Sequence, residues 1–267
     1  MNVCIVGAGA IGGWIGAKLA RAGHTVTVLA RGAALAAIKE NGLQLIEGGE
    51  TQVARVRAAA SATELDTPDL LVIAVKAPGL RDAAVSVASL IGPNTIVLTA
   101  MNGVPWWFFD RADRPLAGAQ LATIDATGEI AKSIPSRNVI GCVVHAACSV
   151  DAPAVIRHKM GARLIIGEPS GGSSPRLRLL HETLAAAGFE PESSEDIQRE
   201  VWFKLWGNMT MNPVSAITGA TTDKILDDAQ TREFCSAVMR EAQTIGNKIG
   251  IPIAQTPDER HAVTRKL

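Results

Sequence analysis

Residues 2–31, "NVCIVGAGAIGGWIGAKLARAGHTVTVLAR", carry the first strong structural signal in the chain. Asn2 to Val6 reads as a short buried strand, and Gly7, Gly9 and Gly12 follow at once. An apolar-periodic helix then runs to about Arg21 and stops at Gly23, and "TVTVLA" (25–30) is the next strand. Strand, glycine turn, helix, strand is the order of a dinucleotide-binding unit. Gly7 permits the tight turn, Gly9 lets backbone approach a pyrophosphate, and Gly12 lets helix and strand pack closely. The helix amino terminus then faces the phosphates, so Gly7, Ala8, Gly9, Ala10, Ile11 and Gly12 form the expected cradle.

The end of the second strand bears on which cofactor fits. An NAD-preferring unit tends to place an acidic residue there, to bind the ribose hydroxyl. This chain has Ala30 and Arg31 instead. A guanidinium pairs with a 2′-phosphate, so NADPH/NADP+ is the expected cofactor, against an ordinary surface arginine.

Further strands alternate with helices. "DLLVIAVKAP" (69–78) and "NTIVLTAMNGV" (94–104) are apolar runs of the kind found in parallel sheets covered on both faces. They end in Lys76 and in Asn102, at the carboxyl ends of strands, where open α/β sheets bind ligands. "VIGCVVHAACSV" (139–150) and "RLIIGE" (163–168) read as the last strands, with "PAVIRHKMG" (153–161) as their connection. His145 sits in an apolar run and reads as a packed histidine; His24 and His158 read as loop residues. No His, Asp and Glu cluster suggests a metal.

Composition excludes several function classes. At 267 residues and 28.0 kDa the chain forms one large or two modest domains. Net charge is +0, which offers no long-range field for nucleic acid or a membrane surface. Apolar runs such as "LLVIAV" are too short to span a bilayer, and Met1 leads directly into a strand, so no leader is expected. Cys4, Cys142, Cys148 and Cys235 form no CxxC pair and show no zinc spacing, which fits a reduced, cytoplasmic protein.

"GEPSGGSSP" (167–175) is the most linker-like stretch. After it the patterns are helical, at roughly 176–187, at 195–211 and in segments through about 250. The expected division is therefore 1–168, a Rossmann-type doubly wound α/β domain binding NADP, and 169–267, an all-helical substrate domain. Within "FKLWGNMTMN" (203–212), Lys204, Asn208 and Asn212 are spaced four apart and share one row of a helix capped by Ser193 or Ser194. The other rows are mostly apolar. A solvated stripe usually carries long charged residues, whereas short amides suit hydrogen bonds to a ligand in a cleft.

Taken in order, "GAGAIGG", Arg31, "VKAP" at Lys76, "MNGV" at Asn102 and "KLWGNMTMNP" from Lys204 resemble the ketopantoate reductase (2-dehydropantoate 2-reductase) family along the whole chain. The resemblance implies an NADP-dependent oxidoreductase in which hydride reaches the ketone of a 2-oxo acid, ketopantoate becoming pantoate in pantothenate biosynthesis. It implies that Lys204 is the general acid, that Asn208 and Asn212 bind substrate, and that Lys76 and Asn102 contact cofactor and substrate. Two features depart from the family. Its members continue for several more helices, with a serine and acidic residues that bind the substrate carboxylate. This chain stops at "HAVTRKL", so either a truncated chain or a pocket lacking part of its wall is expected. "NGVPWWFF" (102–109) is also bulky, which leaves core packing, a homodimer interface or a paralogue for another small 2-oxo acid as readings. A non-catalytic NADP-binding sensor is the alternative outside the enzymes.

Overall fold

The computed structural model describes residues 1–265; the last two residues of "HAVTRKL", where the chain-end expectation falls, lie outside them. The opening unit forms as its pattern requires: β1 (Asn2–Val6), α1 (Ala10–Arg21) and β2 (Thr25–Leu29). α2 (Gly32–Asn41), a hairpin of β3 (Leu43–Glu47) and β4 (Glu50–Ala54), and β5 (Arg57–Ala59) come next. β6 (Leu70–Ile73), α3 (Leu80–Val87), β7 (Ile96–Ala100), α4 (Glu129–Ser133) and β8 (Val139–Ala152) complete the α/β alternation. β5, β2, β1, β6, β7 and β8 lie side by side and parallel, the strand order of a doubly wound dinucleotide fold.

Beyond β8 the sheet departs from that plan. β8 pairs antiparallel with β9 (Val155–Gly167), and β9 then pairs with β3, so ten strands form one mixed sheet. "PAVIRHKMG" is therefore not a connection. All but its first two residues belong to β9, in one long hairpin whose turn passes through Ala154 with φ 63. His158 accordingly lies on a strand rather than in a loop; it stacks on Trp14 at 5.2 Å and meets Glu47 at 2.9 Å. The β8–β9 and β3–β4 strands curl around α1, whose Trp14 is fully buried among Ile15, Leu43, Leu45 and Ile156.

α5 (Pro175–Ala186) packs its Leu177, Leu180 and Leu184 into the same core. β10 (Glu190–Ser193), which the sequence patterns do not show, adds to the edge of β9. The chain then enters α6 (Ile197–Thr218), α7 (Thr222–Asp227), α8 (Ala229–Lys248) and α9 (Pro257–Thr264). α6 is longer than expected and continues through Pro213. Its cap is Asp196, whose carboxylate accepts from the Arg199 N–H at 3.2 Å; Ser193 is in β10 and Ser194 accepts from Asp196 instead. Among the described residues no helix is long and apolar enough to cross a membrane, and no metal-holding cluster of His, Cys, Asp or Glu occurs.

Trp106, Trp107, Phe108 and Phe109 are all buried, in a second core shared with Ile197, Val201, Trp202 and Trp206 of α6. They are core. Each such side chain contributes about 1.5–3 kcal/mol on burial, so this apolar face, and not the polar row, holds α6 on the sheet.

The turn glycines differ in a measurable way. A Cβ on Gly12 would lie 2.0 Å from the Gly7 carbonyl oxygen, whereas one on Gly9 would meet nothing within 4 Å. Gly12→Ala is expected to lower the thermal midpoint by roughly 3–10 °C and Gly9→Ala to change it by less than about 2 °C. Unfolding followed by circular dichroism measures both, and equal shifts would sink the steric account.

Candidate active site

The site is assembled where β8 outruns its neighbour. The last β7–β8 pair is Ala100 with Cys142, so Val144, two residues on, has no strand beside it on that edge. Side chains take both of its backbone groups. Its N–H donates to the Asn102 side-chain oxygen at 3.3 Å, and its carbonyl accepts from Lys204 Nζ at 2.8 Å. Asn102 comes from the loop after β7 and Lys204 from α6, so the two backbone groups of one residue tie the sheet end to the lysine helix.

Asn102, Lys204 and Asn208 face a common recess of about 20 Å³ walled by Met101, Gly103, Val143, Val201 and Leu205. That is room for about one water-sized group. Lys204 is half-buried, and burial brings its ammonium from 10.5 down to about 8, helped by the Arg260 charge and opposed by Cys142. His145, the next residue on β8 after Val144, is pushed down to about 4, first by burial and then by Lys204, Arg163 and Arg260. Near neutral pH it is an uncharged ring close to a charged lysine.

Two larger clefts adjoin. The first, of about 450 Å³, is lined by Gly7, Ala8, Arg31, Ser61, Val75 and Ser86. The second, of about 400 Å³, runs from Ala77 past Asn102 to Trp106 and Ile124. Lys76 is exposed and stands in sequence between Val75 of the first cleft and Ala77 of the second. The first cleft passes a direct test for a dinucleotide. The space beside Gly9 is open, the amino end of α1 carries no side-chain cap, and Arg31 stands exposed at the end of β2.

Of the residues singled out from sequence, Lys204, Asn208 and Asn102 meet, and Gly7, Ala8 and Arg31 share the first cleft. Asn212 does not join them. It is exposed, about 12 Å along the helix axis from Lys204. Arg260, which sequence reading passed over, reaches α6 from α9, with its guanidinium 5.5 Å from the centre of the Phe203 ring. It stands in a short polar helix with no motif around it, so no periodicity could have marked it.

Lys204 titrates in an observable range. Acylation of amines, read by mass spectrometry, requires the neutral form, so its rate at Lys204 is expected to rise with pH and level off with a midpoint near 8. A midpoint near its ordinary value of 10.5 would refute the burial account.

Comparison with known proteins places both halves of the chain in one family. The family model "Ketopantoate reductase PanE/ApbA" matches residues 3–171 and its C-terminal counterpart matches 196–267. A 2-dehydropantoate 2-reductase of Mesorhizobium japonicum is 48% identical over 97% of this chain and 80% of its own length. The crystal structure of a protein from Ralstonia solanacearum MolK2, described as a candidate ketopantoate reductase, superposes with TM-score 0.97 at 55% identity, over 99% of this chain and 82% of that one. D-mandelate dehydrogenase, solved with NADH and anilino(oxo)acetate, shares the fold at TM-score 0.83 and 20% identity, covering 100% of this chain and 79% of its own. With the paired family matches spanning both the glycine turn and the lysine helix, this chain belongs to the ketopantoate reductase family.

Proposed function

We propose that this chain reduces 2-dehydropantoate to pantoate with NADPH, with Lys204 as the proton donor. The observation that carries this reading is the Lys204–Val144 hydrogen bond, which holds an ammonium at the mouth of a recess shared with Asn208 and Asn102. The chemistry that a bound nicotinamide would supply is hydride for the ketone carbon. Negative charge then grows on the ketone oxygen, and a nearby ammonium stabilises it and gives up a proton. Val144 occupies one N–H of Lys204 and leaves two for the recess. With its pKa lowered to about 8, Lys204 is still protonated at neutral pH yet releases its proton more readily than an exposed lysine does. Asn208, one turn further, aligns the substrate without adding charge.

For the cofactor, Arg31 at the mouth of the first cleft pairs with the 2′-phosphate, Gly7 to Gly12 and the start of α1 cradle the pyrophosphate, and Lys76 and Asn102 meet the part that extends towards the second cleft. The functional division falls near residue 168, with α5 and β10 folded back on the sheet. The four free cysteines support a cytoplasmic location. Trp106 and the apolar wall of the second cleft support a second reading, a paralogous reductase of another small 2-oxo acid with an apolar side chain.

NADPH oxidation against a panel of 2-oxo acids separates the two readings. In the same assay Lys204→Ala should lower kcat roughly 10²- to 10⁴-fold with NADPH affinity little changed. A folded variant with near-normal kcat would remove Lys204 from the chemistry. Because the acid is the protonated form, kcat/KM for reduction should fall as pH rises through about 8. Arg31→Asp should weaken NADPH binding far more than NADH binding; equal affinity for both cofactors in the unmodified chain contradicts the 2′-phosphate assignment.

A further inference from the structure

We propose that Asp82 selects the adenine base of NADPH by accepting a hydrogen bond from its 6-amino group. The inference rests on the NADPH reading above and adds to it a residue of α3 that lines the same cleft as Arg31. Three observations carry it.

First, α3 presents a polar edge to the first cleft. Asp82, Ala83 and Ser86 line it, with Gly79 just before the helix. Asp82 and Ser86 are four residues apart, so they lie one above the other on the helix. Leu80, Ala84 and Val87 pack α3 into the second core, and neither polar residue is needed for that attachment.

Second, the Asp82 carboxyl has no protein partner. Among the described residues it joins no ion pair and no side-chain hydrogen bond. Arg81 beside it pairs with Glu129, and α3 begins without a side-chain cap. A carboxylate in a first helical turn suits the helix dipole, which accounts for an acid there but not for its place in a ligand cleft.

Third, the cleft separates donors from acceptors. Gly7, Ala8 and Arg31 bring donors that suit phosphates. Ser86 Oγ donates to the Ala83 carbonyl at 2.8 Å and is left with lone pairs only. The Ala60 and Ser61 N–H groups are already taken, donating to the Glu64 carboxylate at 3.0 and 2.9 Å. The α3 edge therefore offers acceptors. Much of the remaining lining is small and apolar, with Ala60 and Ala62 after β5, Val75 after β6 and Ala83 on α3, which suits a flat ring. A 6-aminopurine carries donor hydrogens on its amino group, and a carboxylate accepts without donating. A 6-oxo group in that place would set acceptor against acceptor, and repulsion would replace the hydrogen bond.

Equilibrium binding to the whole chain without substrate tests this, followed by fluorescence of the reduced nicotinamide. The probes are NADPH and its hypoxanthine analogue, which carries a 6-oxo group in place of the 6-amino group. The unmodified chain should bind NADPH roughly 10-fold tighter than the analogue. Asp82→Asn should bring the two affinities within about 2-fold, because an amide accepts from an amino group and donates to an oxo group. Asp82→Ala should weaken NADPH binding several-fold and leave the analogue bound no more weakly. Asp82→Asn is isosteric, so it carries the test should the alanine variant unfold. A preference for NADPH retained in the folded variants overturns this assignment and leaves the reductase reading intact. Equal affinities in the unmodified chain overturn it as well. A lower thermal midpoint in both variants with the preference unchanged makes Asp82 a helix-dipole residue only, and also overturns it. If the unmodified chain binds neither probe, the cofactor reading and this one fall together.

Discussion

Two unpaired backbone groups of one residue, Val144, organise this site. β8 extends beyond β7, and the parallel sheet therefore leaves the N–H and C=O of Val144 without a strand partner. A buried backbone group left unsatisfied costs about 1–3 kcal/mol, so something must reach it. Asn102 supplies the acceptor and Lys204 the donor, and that requirement brings a loop, a strand and a helix distant in sequence to one point. The helix itself is held by apolar burial against the four aromatics of residues 106–109 and does not need the lysine for its attachment. The hydrogen bond orients a charge, and the core positions the helix that carries it.

The electrostatics follow from that arrangement. A lysine on an exposed helix face would keep its ordinary affinity for a proton. Covered by α6 and β8, and near Arg260, it is lowered to about 8. His145 is held uncharged by the same neighbourhood, so the proton nearest the recess belongs to Lys204. Burial thus fits the lysine to the role proposed for it, and the neighbouring arginine adds to the shift while remaining charged itself.

Much of this is legible in the residue order. The glycine turn, the parallel strands ending at Lys76 and Asn102, and the row of Lys204 and Asn208 all come from local pattern, because turn sterics and helical or strand periods act over a few residues. Other features are not. The first half of β9 reads as a connection, because around Arg157 to Met160 it has no apolar alternation, whereas its second half, "RLIIG", reads as a strand. β10, "EPES", has no strand-like composition and exists because the edge of β9 was open to it. The helix cap shifted from a serine to Asp196, whose carboxylate also pairs with Arg111 and Arg114 from the segment before α4.

The sequence by itself determined the family, the strand–turn–helix unit and the identity of the polar row, since each depends on residues close together in the chain. Only the tertiary structure decided which members of that row share a recess. Asn208 faces it and Asn212 does not, because the sheet end is shorter than the helix laid across it. It also decided that the aromatics of residues 106–109 are core, and that Arg260, 56 residues beyond Lys204, lies over Phe203 of the same helix. Such neighbours come from how far strands and helices extend past one another, and local residue patterns do not encode those lengths.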